Sequence, residues 1–431
     1  MLVVVGVHSA KFLAEKSTEA IRDAVLRYGV EHPVVNDRSF RLWSEYAIHA
    51  WPTLVFVGPQ GKVVGKHEGE FLFDDLDRAI GAMVKEFDAK GLLDHRPLHF
   101  RREAMPTGPL LYPGKVLADA ASGRLFVADS GHNRVVVASL DGQVRLTVGG
   151  GERNFRDGGL DTAAFHDPQG LALDGEALYV ADTGNHAVRR VDLVAGQVTT
   201  VAGSGAQAML GPAPGTGTSV DLNSPWDLAV CGGILYVAMA GFHQIWTVDP
   251  ATGRAAPYAG NSREALVDGP LPRASFAQPS GVSVGGDQLY VADSEVSAVR
   301  AVDLAGDRRM VRTLVGEGLF DFGDEDGRDG QVRLQHPLGV CFDPARGVLY
   351  VADTYNHKVK RLDPRTTETR TFLGSGEPGR RDGRGTVSEF KEPSGLSLAG
   401  DRLYVADTNN HAIRVVDLTT EEVTTLPLAE R

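Results

Sequence analysis

The 431-residue chain is 42% hydrophobic and has a net charge of −12, which indicates a soluble globular protein long enough for two domains. Residues 101–431 carry 32 Lys and Arg against 42 Asp and Glu. Their net negative charge repels phosphate groups and disfavours nucleic acid as a partner. Two cysteines exclude a disulfide-dense secreted scaffold, and no membrane segment or signal peptide is recognisable. We therefore expect a cytoplasmic protein.

The first 95 residues alternate between apolar strands and amphipathic helices. Residues 2–7 predict a buried strand, and Ser17 or Thr18 can cap a helix that Gly29 ends. After a short strand at 33–36, Asp37 is the predicted cap of a second helix. The rest of this region is predicted as strands 53–57 and 62–66 around a turn at 58–61, and a helix from about Asp74 that buries Leu76, Ile80, Met83 and Phe87.

This order of elements around Trp51-Pro52-Thr53 resembles the C-terminal two thirds of a thioredoxin-like domain. The resemblance implies a cis peptide bond before Pro52, at the position that lies beside the redox dithiol in that family. The Cys-x-x-Cys and the strand expected between residues 2–7 and 53–57 have no counterpart in this chain.

Two explanations for the missing segment stay open. In the first, the sequence lacks its true N-terminus, because it is truncated or because translation starts earlier. This explanation agrees better with residues 2–7, which are patterned for burial on both sides. In the second, the domain is a remnant that closes its sheet differently. In the first case the complete protein would be a thiol–disulfide oxidoreductase. This chain alone lacks the thiolate pair on which such chemistry depends.

From about residue 110 the chain is a repeat array. Six copies of a Leu-Tyr-Val-Ala-Asp motif stand 53 to 60 residues apart, and within one unit four short strands are predicted at 170–173, 177–181, 187–192 and 198–202. Such a period made only of strands and turns is typical of β-propeller blades. The sequence predicts a linker at 96–109 and a six-bladed propeller at 110–431. Whether residues 98–101 add a closing strand stays open.

Residues 393–414, with Pro-Ser-Gly-Leu followed by Leu-Tyr-Val-Ala-Asp-Thr-Asn-Asn-His-Ala-Ile-Arg, resemble the NHL repeat. With Gly-Val-His-Ser-Ala-Lys-Phe at 6–12, nearly the whole chain resembles a two-domain family that joins a thioredoxin-like domain to NHL repeats. The fold class implied is α/β plus all-β: a partial thioredoxin-like domain at 1–95 followed by a six-bladed NHL β-propeller.

The recurring polar residues of the array are interpreted as structural. An Asp before a tight turn can accept a hydrogen bond from the N–H two residues on, and histidines at equivalent turns of different blades are too far apart to share a metal ion. The acidic run 324–330 has Arg328 and Asp329 where a calcium loop needs a ligand and a glycine. These structural interpretations cover Asp129, Asp182, Asp293, Asp353 and Asp407; Asp157, Asp268, Asp326 and Asp382; and His186, His243, His357 and His411.

Cys231 and Cys341 lie in inner strands, where a buried cysteine acts as a small apolar residue. The sequence therefore predicts no catalytic residue, no metal and no cofactor.

The long insertions between blades all fall on one face, hereafter the long-loop face, which is the predicted surface for a protein or peptide. They are residues 149–167, 203–224, 260–278, 316–336 and 374–392. Blade 3 departs from the repeat with Trp226-Asp227, Met239 and Trp246. Sequence drift in a single blade is the simplest explanation. The alternative is a ligand site at the channel mouth, with Trp226 stacking and Asp227 hydrogen bonding. The predicted mouth residues are Gln169, Trp226, Asp227, Ser280 and Ser394.

The predicted function is an interaction platform. Thiol–disulfide exchange and metal-dependent hydrolase or lyase chemistry are the alternatives, and the oligomeric state is left open.

Overall fold

The computed structural model describes residues 2–69 and 73–429, and the chain divides into two compact units, Met1–Met105 and Pro106–Arg431. None of the helices in the described residues is long and apolar enough to cross a lipid bilayer. The helices of the first unit are Thr18–Arg27, Arg41–Glu45 and Phe73–Ala89, with a 3-10 turn at Ala14–Lys16, and its strands are Gly6–His8, Val34–Asn36, Thr53–Val57 and Val63–Glu68.

Local hydrogen bonds explain where the helices of the first unit begin. The Ser17 hydroxyl accepts a hydrogen bond from the Ala20 N–H at 2.9 Å and caps the first helix. Asp37 accepts from the N–H groups of Leu42 and Trp43 at 3.0 and 2.9 Å, although it stands four residues before the helix that it caps. The predicted Ser17 cap is confirmed. Asp37 binds the first turn of the second helix, but the N-cap position itself is occupied by Phe40.

The strands of the first unit form two separate pairs. Gly6–His8 pairs in parallel with Val34–Asn36, and Thr53–Val57 pairs antiparallel with Val63–Glu68. The prediction of a buried strand at 2–7 is wrong, because the strand begins only at Gly6 and the valine side chains before it are exposed. Among the described residues, no strand other than Val34–Asn36 pairs with Gly6–His8. The apolar residues before Gly6 are therefore exposed to water.

The last helix of the first unit has the predicted apolar face. Leu76, Ile80, Met83 and Phe87 are its half-buried residues, whereas the described residues on its other sides are exposed. They are not fully buried as predicted, because small two-stranded sheets offer the helix little surface to cover them.

The second unit is a six-bladed propeller in which every blade is an antiparallel sheet with four main strands. The strands predicted for blade 2 are confirmed to within two residues. Blade by blade, the main strands are Val116–Asp119, Arg124–Asp129, Arg134–Ser139 and Val144–Val148; Pro168–Asp174, Ala177–Asp182, Ala187–Asp192 and Gln197–Ala202; Pro225–Cys231, Ile234–Met239, Gln244–Val248 and Arg254–Ala259; Pro279–Gly285, Gln288–Asp293, Ala298–Asp303 and Met310–Val315; Gly339–Asp343, Val348–Asp353, Lys358–Leu362 and Thr369–Leu373; and Pro393–Ala399, Arg402–Asp407, Ala412–Asp417 and Glu422–Thr425.

The Leu-Tyr-Val-Ala motif is apolar on both strand faces because each blade is covered on both sides. In blade 2, Leu178 and Val180 pack into the core shared with blade 1. Tyr179 and Ala181, which alternate with them, pack into the core shared with blade 3. The motif therefore encodes a strand sandwiched between two neighbours rather than an edge facing water.

The outer strand of most blades receives a short segment from the preceding loop. In blade 1 this place is taken by the C-terminal residues, where Ala429 bridges Gln143 and exchanges hydrogen bonds with Gly142 and Val144. Residues 98–101, left open as a closing strand, lie outside any strand. The short segments of the other blades are Gly158–Gly159, Gly215–Thr216, Gly269–Pro270 and Gly383–Arg384, with a single bridge from Gly327 to Thr369 in blade 5.

Candidate functional site

The six inner strands meet around the propeller axis at one equivalent position each. Four blades have glycine there, and a side chain would collide with the next blade. A Cβ atom at Gly339 would stand 1.9 Å from the carbonyl oxygen of Ser394, and one at Gly170 would stand 2.5 Å from the Cα atom of Asp227. Close packing at the axis therefore explains the Pro-x-Gly motif. The six axial positions are Lys115, Gly170, Asp227, Gly281, Gly339 and Gly395.

The two exceptions to glycine form an ion pair at the axis. Lys115 Nζ lies 3.5 Å from Asp227 Oδ2, and both side chains are buried. Lys115 also donates to the carbonyl oxygen of Leu338, and Asp227 accepts from the N–H groups of Leu228 and Val282 at 3.0 Å. Burial lowers the pKa of Lys115 and raises the pKa of Asp227, and their mutual attraction opposes both shifts. Asp227 thus joins blades 1, 3 and 4 across the channel.

The other predicted mouth residues also lie at the starts of inner strands. Gln169 donates to Asp167 at 2.9 Å, Ser280 donates to the carbonyl oxygen of Gln278 at 2.8 Å, and Ser394 contacts Gly114 and Thr408. These three side chains are buried, as Asp227 is. Trp226, half-buried, is the member of the predicted set that reaches the surface.

A hydroxyl group after each motif aspartate joins neighbouring blades. In blade 2, for example, Thr183 Oγ1 donates at 2.6 Å to the carbonyl oxygen of Pro225 in blade 3. We call this bond the hydroxyl latch. Blade 3 is the exception, because Ala240 occupies the position. The other latches run from Ser130 to Pro168, Ser294 to Pro337, Thr354 to Pro393 and Thr408 to Pro113.

The turn histidines form a second set of joints between blades. Each stands in a left-handed backbone conformation, and its Nδ1 accepts the N–H of a residue in the next loop, as His186 does from Ser224 at 3.0 Å. Burial lowers the pKa of His357 to about 4, so this ring is neutral at pH 7. The prediction that these residues are structural and lie in different blades is confirmed. The remaining pairs are His243 with Gln278, His357 with Glu392, and His411 with Tyr112.

The motif aspartates are structural, but the predicted turn bond is wrong. Asp182 accepts its backbone hydrogen bond from His166, sixteen residues earlier, and its other oxygen lies 2.6 Å from Arg189 Nη1. The same guanidinium contacts Asp157 at 2.8 Å, and Asp157 also binds Thr200 on the outer strand. We call this arrangement the carboxylate clamp. It ties an inter-blade loop to three strands of its blade.

Clamps with the same geometry recur, so the outer aspartates are not simple turns as predicted. In blade 5 the central group is an ammonium: Lys360 Nζ lies 2.9 Å from Asp326 and 3.9 Å from Asp353. A cationic residue seven positions after each of these motif aspartates was the sequence signal that identifies the clamp. The two remaining clamps are Asp293–Arg300–Asp268 and Asp407–Arg414–Asp382, with distances of 2.7 to 2.9 Å.

Blade 3 replaces every member of the clamp with an apolar residue. Met239 and Trp246 stand where blade 2 has Asp182 and Arg189, and Pro214 and Pro257 stand where it has Asp157 and Thr200. Trp246 is completely buried, stacks on Phe242 with ring centroids 5.3 Å apart, and donates its indole N–H to Gln244 at 3.0 Å. Trp246 is therefore a core residue and not part of a surface site.

The acidic run 324–330 is partly neutralised from within blade 5. Asp324 pairs with Lys358 and Lys360, and Asp326 pairs with Lys360. In residues 2–69 and 73–429 no group of three or more His, Cys, Asp or Glu side chains is arranged to hold a metal ion. Cys341 is buried as predicted, and burial raises the pKa of its thiol to about 12. Cys231 is only half-buried, because it ends its strand.

The long-loop face presents large apolar side chains to solvent. Leu210 is fully exposed and Phe320 is 71% exposed. Both follow anchored residues: Ala208 pairs with Leu222, and Leu319 packs on a small cluster formed by Ala277, Val296 and Ala298. Further exposed apolar residues on this face are Met209, Val267 and Val387.

In the first unit the Trp51–Pro52 peptide bond is cis. The half-exposed Trp51 ring lies 4.5 Å from the Trp43 ring and donates its indole N–H to the carbonyl oxygen of Ser9 at 2.9 Å. The Thr53 hydroxyl donates to the carbonyl oxygen of Ala50. These bonds fix the predicted Trp51-Pro52-Thr53 segment beside Ser9.

Comparison with known proteins agrees with the repeat architecture. The NHL repeat family matches residues 165–190, 334–362 and 390–416, which lie in blades 2, 5 and 6. The chain is 44% identical over 434 residues to Protein SUPPRESSOR OF QUENCHING 1, chloroplastic, of Arabidopsis thaliana, covering 96% of this chain and 41% of that protein. It is 40% identical over 461 residues to NHL repeat-containing protein 2 of Homo sapiens, covering 99% of this chain and 63% of that protein.

The chain thus spans 41% and 63% of the length of these two relatives. Among solved structures, virginiamycin B lyase from Staphylococcus aureus resembles it with a TM-score of 0.45 and 12% identity, over 73% of this chain and 84% of that one. The chain thus contains NHL repeats, matched in blades 2, 5 and 6, and folds as a six-bladed β-propeller.

Proposed function

We propose that the propeller is an interaction platform whose long-loop face binds a protein or peptide in the cytoplasm. One observation carries the proposal: large apolar side chains stand in water on loops that are tied to a rigid scaffold. The blade 5 clamp holds the Phe320 loop, and the hydrogen bond from Ala208 to Leu222 anchors the segment before Leu210. Exposed apolar groups on fixed supports are typical of binding surfaces, because little ordering entropy is lost when a partner covers them. The name of the Arabidopsis relative places that protein in the chloroplast.

The two most exposed of these residues provide the test. Peptides are selected from a random display library against the intact chain, and their affinities are measured by calorimetry. The double variant Leu210→Ser/Phe320→Ser should weaken the selected peptides about tenfold or more, since buried aromatic and apolar anchors dominate such contacts. Val194→Ser is the matched control, because Val194 is 80% exposed in a short turn on the opposite face. Peptides that bind all three proteins equally would contradict the platform.

We further propose that the first unit is a partial thioredoxin-like domain coupled to this platform and without a redox dithiol in this chain. The cis bond at Pro52 and the order of helices and strands support the domain. The buried Cys341 thiol, with its raised pKa, is a poor nucleophile, which argues against exchange chemistry by the cysteines present. In protein purified from its native source, thiol titration before and after reduction should find the same two thiols. An additional pair that appears only after reduction would restore the oxidoreductase alternative.

A further inference from the structure

Three polar side chains form a half-buried cluster between blades 4 and 5. His336 Nδ1 lies 3.5 Å from Glu295 Oε1, and the His336 ring stacks on Tyr355 with centroids 4.5 Å apart and planes 12° apart. The Glu295 and His336 side chains are 17% and 14% exposed. A carboxylate therefore stands beside a stack of two aromatic rings at the long-loop face.

The recurring joints between blades use other residues of these turns. In the turns after the motif aspartate, blades 1 to 3 have Gly131, Gly184 and Gly241 where blades 4 and 5 have Glu295 and Tyr355. The joints of blade 4 to its neighbour are made by other residues of the same turn, since Ser294 forms the hydroxyl latch and Ser297 accepts the N–H of His336. Blade 5 likewise uses Thr354 and His357. Glu295 and Tyr355 are thus not members of the recurring latches and histidine joints.

The electrostatic surroundings of the cluster favour a cation. The loop at residues 316–336 carries six carboxylates and two cations. Lys358 and Lys360 neutralise Asp324 and Asp326, which leaves an excess of negative charge that includes the exposed Glu317, Asp321 and Glu325. The same loop presents Phe320, and its Leu319 packs on the small apolar cluster that includes Val296, the residue after Glu295.

We propose that the Glu295–His336–Tyr355 cluster binds the guanidinium group of an arginine in a basic peptide segment. The proposal rests on the interaction platform and names the chemistry of its partner. A carboxylate accepts N–H bonds from a guanidinium, and the planar cation stacks on aromatic rings better than an ammonium does. Because the Glu295 side chain is only 17% exposed, a charge-assisted bond to it is stronger than one at a fully exposed carboxylate.

Binding of labelled hexa-arginine to the intact chain, followed by fluorescence anisotropy at fixed ionic strength, tests the proposal. Glu295→Gln keeps the shape of the side chain and should raise the Kd about tenfold, which corresponds to about 1.4 kcal/mol. Glu377→Gln is the matched control: it removes one exposed carboxylate from the same face, and we expect a change below about twofold. Hexa-lysine should bind the wild type several-fold more weakly than hexa-arginine.

Equal weakening by Glu295→Gln and Glu377→Gln would overturn the site, because bulk charge would then explain the binding. Equal affinities for hexa-arginine and hexa-lysine, or no saturable binding, would also overturn it. Tyr355→Leu guards against a misfolded variant, since it should weaken hexa-arginine while leaving hexa-lysine unchanged. Failure here is separable from failure of the platform: selected peptides that still depend on Leu210 and Phe320 would leave the platform standing without an arginine site.

Discussion

Blades 2 and 3 are neighbours with the same strand order, yet opposite chemistry holds their inter-blade loops. In blade 2 a completely buried guanidinium, Arg189, lies between Asp182 and Asp157. In blade 3 the fully buried Trp246 fills the corresponding space beside Met239. An ion-paired, hydrogen-bonded cluster and an apolar cluster of similar size thus close the same gap.

The difference shows that the space between the loop and the strands must be filled, but that the side chains filling it need not be charged. A buried ion pair contributes little net stability over apolar residues of similar volume, but removing one partner leaves an uncompensated charge. The clamp is therefore expected to change as a unit, and in blade 3 four positions differ together. The drift proposed from the sequence is consistent with this coordinated replacement.

The largest expected effect comes from breaking the clamp on one side. Asp182→Met should lower the free energy of unfolding by about 3–5 kcal/mol, because Arg189 would remain buried with its inner partner gone. Adding Arg189→Trp, which completes the pair seen in blade 3, should recover part of this loss. Urea unfolding of the wild type, both single variants and the double variant forms a double-mutant cycle with an expected coupling of about 1–3 kcal/mol.

The cycle has a control on blade 3. Met239→Ala removes apolar volume without stranding a charge, so pairing it with Arg189→Trp in the other blade should give additive losses. If Asp182→Met and Arg189→Trp are also additive, the two residues do not act as one unit and the comparison between the blades fails.

Particular residues show how far the sequence leads. The period, the four strands per blade and the turn role of the histidines followed from local pattern, because strands buried on both sides and left-handed turns have distinct sequence signals. In the clamp an aspartate and an arginine lie on different strands. The arginine also contacts loop residues that precede it by 25 to 33 positions. The one sequence signal that indicates the clamp is the cationic residue seven positions after the motif aspartate.

The axial pair and the first unit were harder to predict. Lys115 and Asp227 stand 112 positions apart, and only closure of the ring brings them together. Trp226 and Asp227 looked like one recognition element, but the strand is irregular between Pro225 and Asp227. Trp226 is half-buried, whereas Asp227 is buried at the axis. In the first unit, residues 2–5 can be buried only if a further strand pairs with them. The local sequence pattern does not show whether such a strand is present.

A smaller effect is expected in the pH dependence of stability. Burial raises the pKa of Asp182 from 3.8 to about 6, against the pull of Arg189, whereas blade 3 has no titrating group at this position. Between about pH 4 and pH 6 the folded state therefore binds more protons at Asp182 than the unfolded state does. The contribution of Asp182 to the free energy of unfolding should fall as the pH rises through this window, by at most about 1.4 kcal/mol per pH unit, and be constant above about pH 7.

Urea unfolding at several pH values, for the wild type and the Asp182→Met/Arg189→Trp variant, measures this contribution as a difference. The wild type should lose stability relative to the variant between pH 4 and pH 6. A difference that grows with pH in this window would mean that Asp182 is held ionised by Arg189, and the direction assigned to its pKa would be wrong.

The smallest expected effect concerns the hydroxyl latch that blade 3 lacks. Ala240→Ser places a hydroxyl where Ser130 and Ser294 donate to the next blade, at 2.6 and 2.8 Å from the proline carbonyl oxygen. Because the latch is a single neutral hydrogen bond at a buried joint, the gain should be about 0.5–1.5 kcal/mol, and Thr183→Val in blade 2 should cost a similar amount. Thermal unfolding compares both variants with the wild type. If Ala240→Ser lowers the melting temperature, the joint between blades 3 and 4 is packed without room for a donor, and blade 3 has replaced its latch as well as its clamp with apolar contact.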